Sequence, residues 1–123
     1  MSSEFVERDY SALVPRVVES LFPESAARQR AWELLDAYDD REVDRVRLGI
    51  LRASDGQLEE VARLSRLAQT DYRDLLVLAE YPLTSRRWAW RESDPGKYER
   101  LLKREQRRYD IWLERTLGDD EPS

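Results

Sequence analysis

Apolar positions recur at helical spacing along most of the chain. Tyr10, Leu13, Val14, Val17, Val18 and Leu21 stand three and four apart and draw one stripe over residues 11–22. Pro15 is expected within the first turn of that helix, where a missing N–H costs little. A second stripe, Ala27, Ala31, Leu34, Leu35 and Tyr38, predicts a helix starting near Pro23 and broken by Asp39-Asp40. Asp39 and Glu42 have the spacing of a capping box. They would open a third helix with Val43, Val46, Ile50 and Ala53 inside and Leu51 beside them. Ser54-Asp55-Gly56 ends it with a left-handed residue expected at Gly56.

From Leu58 the positions 58, 61, 65, 68, 72, 75 and 79 alternate steps of three and four. They fit one long helix to Glu80, or two helices with a fresh cap at Thr70 or Asp71. Ser65 on the stripe is a poor core residue and counts against the unbroken reading. Residues 82–94 show no helical period and read as the longest loop. Asp94-Pro95 then caps a last helix carrying Tyr98, Leu101, Leu102, Tyr109, Trp112 and Leu113 as far as Gly118. The acidic tail, residues 119–123, is expected to be disordered. Nothing repeats at the periods of a solenoid. The pattern predicts an all-α chain: one domain over residues 1–118, a compact bundle of five or six helices with an Arg/Trp-rich loop before the C-terminal helix.

Composition agrees and narrows the chemistry. In 123 residues, 17 Leu outnumber 10 Val plus Ile, and only 4 are Gly, as suits helices. The chain has neither Cys nor His. That excludes disulfides, thiolate or imidazole metal sites, a Cys nucleophile, a Ser-His-Asp relay and the Glu-x-x-His di-iron site. Any catalysis would run on carboxylates, Tyr, Lys or Arg. No apolar run approaches a membrane span, and the N-terminus is acidic where a signal peptide is basic, so the expectation is a cytoplasmic protein without membrane contact. Charge is unevenly divided. Residues 1–83 are net −6, residues 84–117 hold 10 basic against 6 acidic side chains, net +4, and the tail is net −3.

Three groups of residues carry candidate chemistry. Glu33 with Asp36 and Asp71 with Asp74 are carboxylate pairs at i and i+3. On facing helices the four could hold Mg²⁺ and support phosphohydrolysis, the enzyme alternative; no other cofactor is expected. In a chain with 26 acidic residues such pairs also arise as caps and ion pairs. The second group is Arg86, Arg87, Trp88, Trp90 and Arg91, residue types enriched at recognition surfaces. It fits a surface for a protein or an anionic ligand, or a loop pinned to the bundle by its two indoles. Arg100, Lys103, Arg104, Arg107 and Arg108 form the third, a basic face on the last helix. Because the pI is about 4.9, nucleic acid is a poor partner and pairing with the acidic helices is the expected use. Lys97 and Lys103, the only lysines, sit in Arg-rich surroundings that do not suit a catalytic amine.

Residues 45–59, followed by Asp71-Tyr72-Arg73-Asp74-Leu75-Leu76 and Ala79-Glu80-Tyr81-Pro82, resemble a group of short uncharacterised bacterial proteins. The resemblance covers about the middle third of the chain. It implies a small all-α domain and transfers no activity. With catalytic groups scarce and the loop rich in anchors, the leading expectation is a small non-catalytic interaction or regulatory domain. Its partner would be another protein or a second copy.

Overall fold

A computed structural model describes residues 8–118; the expected disordered tail lies outside them. The elements are helices α1 (Tyr10–Leu21), α2 (Ser25–Asp36), α3 (Val43–Ser54), α4 (Leu58–Thr70), α5 (Tyr72–Glu80), α6 (Trp90–Ser93) and α7 (Pro95–Leu117), with a 3-10 turn at Thr84–Arg87 between α5 and α6. Among the described residues every regular element is helical, and no helix is long and apolar enough to cross a membrane.

Helix α3 is the centre. It packs against α1, α4 and α5, while α2 covers α4, and α7 lies across α1 with the 3-10 turn and α6 against it. Expected to bury one face, α3 instead buries Val46, Leu48, Gly49, Ile50, Leu51 and Ser54, because neighbours approach it from several sides. Gly49 permits the closest approach. A Cβ there would lie 3.1 Å from the Ala79 Cβ and 3.2 Å from the Leu75 Cδ1.

Three arginines of α3, Arg45, Arg47 and Arg52, run their stems along the core while the guanidinium groups reach other helices' ends. Arg47 donates to the carbonyls of Leu35 and Tyr38, at the C-terminal end of α2, and pairs with Asp36. Arg52 donates to the Ala79 carbonyl in the last turn of α5 at 2.6 Å. Both satisfy carbonyls that a helix end leaves open, and both put positive charge at the negative pole of the helix dipole. Arg45 grips the buried Glu80 carboxylate with two bonds, at 2.7 and 2.9 Å.

Several boundaries differ from expectation. Asp9 caps α1 through the Ala12 N–H, so the helix starts earlier and Pro15 falls inside it rather than in its first turn. The second helix begins at Ser25, leaving Pro23 outside; Arg28 folds back onto the Pro23 carbonyl. The Asp39–Glu42 capping box does not form. Glu42 is itself the N-cap, left-handed at φ 52, with no side-chain cap bond, and its carboxylate turns to Arg45. At the far end both Asp55 (φ 55) and Gly56 (φ 76) are left-handed, and only the glycine adopts that conformation without steric cost.

The stripe from Leu58 to Ala79 is two helices. Asp71 stops α4 with extended backbone and its side chain accepts from the Arg73 N–H to start α5. Ser65 is nonetheless buried, and its hydroxyl finds no partner among the described residues. One core joins α1 to α5 with the C-terminal half of α7, where Tyr109, Leu113 and Leu117 close it.

Candidate functional site

The segment expected to be a plain loop is organised. Its first turn is tied down by a buried carboxylate on α7. Glu105 is 4% exposed and accepts from the Leu83 N–H (2.9 Å), the Thr84 N–H (2.7 Å) and the Thr84 hydroxyl (2.6 Å). These are the orphan donors at the start of the 3-10 turn, so a side chain from another helix caps it. Tyr81 and Leu83 carbonyls accept from Ser85 and Arg86 behind the cap. This fixes Arg86 and Arg87 against the first turns of α7. Asp94, capping α7 through the Lys97 N–H, fixes the other wall.

Between the walls lies a cleft of about 460 Å³ lined by Leu83, Arg86, Arg87, Trp90, Lys97, Arg100, Leu101 and Arg104. Five lining residues are cations, three are apolar, and none is acidic. Positions 97, 100, 101 and 104 are one face of α7, so the cleft joins part of the loop candidate to part of the basic helix face. Trp90 organises two of the cations: the Arg87 guanidinium lies 5.6 Å and the Lys97 ammonium 5.2 Å from its ring centroid. Trp88, on the same segment, is 63% exposed, and Arg91 is exposed beside Trp90 without lining the cleft. The two indoles thus divide the two readings: Trp90 packs against α7 and Trp88 faces solvent.

The basic face was expected to pair with the acidic helices, and among the described residues it does not. Among the described residues no ion pair is made by Arg86, Arg87, Arg91, Lys97, Arg100, Lys103, Arg104, Arg107 or Arg108. Acidic side chains of the body are engaged elsewhere: Asp36 by Arg47, Glu80 and Glu42 by Arg45, Glu33 by Arg30 and Glu60 by Arg63. On α7, Asp110 is held by Arg8 at 2.9 Å. Arg8 and Arg52 lie over the Tyr109 ring, at 4.3 and 5.0 Å. Burial pushes the Tyr109 hydroxyl well above the usual phenol range. Tyr38 and Tyr81 are raised by burial too.

The four carboxylates of the magnesium alternative are not brought together. Asp71 lines a hollow of about 410 Å³ with Asp39 and Asp40, which Glu33, Asp36 and Asp74 do not reach. Glu33 and Asp36 pair with arginines, and Asp71 serves as a cap. Among the described residues no three acidic side chains are grouped to hold a metal ion.

Sequence reasoning missed Glu105 because it resembled one more solvated acid. Its signal is legible only together with Leu101 and Tyr109, four residues to either side on the inward stripe of α7. The chain matches no family model, no curated protein and no solved structure.

Proposed function

We propose that the protein is a small non-catalytic interaction module that docks an acidic segment of a protein partner in the cleft between the 3-10 turn and α7. One observation carries this reading. The central arginines Arg45, Arg47 and Arg52 end on carboxylates or carbonyls of neighbouring helices, whereas five cations line the cleft with no carboxylate in its lining. Like charges held together repel, at a cost to the free protein that an anionic partner relieves. Leu83, Leu101 and Trp90 supply apolar contact inside the ring of charge, and exposed Trp88 extends it, the composition of a binding hot spot. The groups that converge are cations with no carboxylate pair in the lining of the cleft, which suits recognition better than hydrolysis.

The test is a fluorescence-polarisation titration with a labelled peptide of alternating Glu and Leu. Binding is expected, weakening as salt rises, and at least tenfold weaker in Arg87→Glu/Arg104→Glu. Arg30→Glu/Arg63→Glu, which changes net charge equally at exposed sites elsewhere, is expected to retain it. Equal loss in both double variants would reduce the effect to overall charge and sink the proposal.

A further inference from the structure

A carboxylate brings one negative charge and two acceptor oxygens; a phosphomonoester brings about −1.5 to −2 and three. The cleft presents four guanidinium groups, on Arg86, Arg87, Arg100 and Arg104, and the Lys97 ammonium. One carboxylate cannot engage so many donors. Arginine dominates over lysine here, and its planar fork matches phosphate oxygens two at a time. Two cations already lie over the Trp90 ring, so that indole is committed to holding charge rather than to stacking a base. The surroundings also oppose a long polyanion, since the first 83 residues carry net −6. A single compact dianion meets the five cations and little of that repulsion. Leu83 and Leu101, in the same cleft, offer apolar seats for residues flanking such a group in a peptide.

We infer that the cleft is a receptor for a phosphorylated segment of a protein partner, with the phosphoryl group among Arg86, Arg87, Lys97, Arg100 and Arg104 and its neighbours against Leu83 and Leu101. This rests on the docking function proposed above and specifies its chemistry. Glu105 is a positioning residue for it, acting through the turn that carries Arg86 and Arg87.

The experiment uses the full chain and two labelled degenerate peptide libraries. They are identical except at the centre: an equal mixture of phosphoserine, phosphothreonine and phosphotyrosine in one, glutamate in the other. Inorganic phosphate is titrated as a third arm. The phosphorylated library is expected to bind about tenfold more tightly than the glutamate library, to weaken at least tenfold in Arg87→Glu and in Arg100→Glu, and to weaken less in Arg87→Lys. All three replacements fall on exposed side chains, and circular dichroism checks their folding. Equal binding of the two libraries, lost in Arg87→Glu, would overturn phosphate recognition and leave acidic docking standing. Absence of Arg87-dependent binding by either library would overturn both. Inorganic phosphate binding as tightly as the phosphorylated library would overturn the protein segment as the source of the group.

Discussion

Replacing Glu105 by glutamine exchanges one oxygen for an NH2 in the group that holds the cationic turn to α7. Glu105 accepts three bonds, two at Oε1 from Thr84 and one at Oε2 from Leu83. Glutamine has one acceptor oxygen, so in either orientation its NH2 opposes at least one of those N–H groups. Bonds to a charged acceptor contribute about 1.5–3 kcal/mol each, and a stranded buried donor costs about 1–3 kcal/mol. With its oxygen on Thr84, the amide loses only the Leu83 bond. Leu83 is 39% exposed, so water can recover part of that loss. The expected cost of Glu105→Gln is therefore about 2 kcal/mol, near the lower end of those ranges. Glu105→Ala, which strands all three donors, is expected to cost about 3–5 kcal/mol.

Urea denaturation measures the global part, and native-state hydrogen exchange of the Thr84 amide measures the local part. If the turn undocks by itself, exchange at Thr84 accelerates about thirtyfold, equivalent to about 2 kcal/mol, while amides of α3 are unaffected. Affinity of the cleft for the acidic probe falls in parallel. A Glu105→Gln protein with wild-type urea midpoint and unchanged Thr84 exchange would refute the capping role.

Three further outcomes are expected. Arg45→Met leaves the Glu80 carboxylate buried without its guanidinium and costs about 3–5 kcal/mol by urea denaturation, of which Arg45→Met/Glu80→Leu recovers most. A single variant as stable as wild type would refute this account of the pair. Tyr109→Phe removes a buried hydroxyl that has no partner among the described residues, so at pH 7 stability stays level or rises by up to about 1 kcal/mol. Because burial raises the folded-state pKa of Tyr109 above the ordinary 10.0, the phenol is neutral in both states below pH 10 and stability there does not depend on its titration. Above pH 10 the unfolded phenol ionises first and stability falls by about 1.4 kcal/mol per pH unit. Alkaline denaturation should thus be shallower in Tyr109→Phe, and an unchanged slope would contradict the assignment. Gly49→Ala gains about 1 kcal/mol of helix propensity but presses on the Cβ of Ala79, which has no flexible end to move aside. It is expected to lower the melting temperature, and a rise would show that α3 and α5 can separate freely.

Strong periodicity made the long helices legible: α1, α2, α4, α5 and α7 each show their inward stripe. The choice at Thr70 turned on one side chain, since the stripe passes through it unbroken and only the Asp71 cap separates α4 from α5. Helix α3 was misread as one-sided because Arg45, Arg47 and Arg52 look like solvent residues. They are the long side chains that escape a crowded interior to bond other helices' ends. Residues 82–94 were read as irregular because a four-residue 3-10 turn and a four-residue α6 are too short to display a period. The 3-10 turn is held by Glu105, more than 20 residues along the chain from Leu83 and Thr84. The cleft was half visible. Its loop arginines and helix cations were separate candidates, and spacing alone does not show which turn of α7 faces the loop. Among the described residues the helix cations make no ion pair with the acids of the body, several of which, Asp36, Glu42 and Glu80 among them, are held by arginines of α3.

The placement of Tyr109 and Asp110 divides α7 into two functional lengths. Its C-terminal half is fastened to the bundle by Arg8, Leu113 and Leu117; its N-terminal half carries one wall of the cleft and holds the other through Glu105. A ligand spanning Arg86 or Arg87 and Arg100 or Arg104 therefore acts as a cross-link between the turn and the helix. Occupancy and local order become one equilibrium. At a ligand concentration 100 times Kd the linked unit gains about 2.7 kcal/mol of protection against opening. That gain should be concentrated in residues 83–104 and fade toward Tyr109, so occupancy would be written in the breathing of the chain even where no atom changes its mean position.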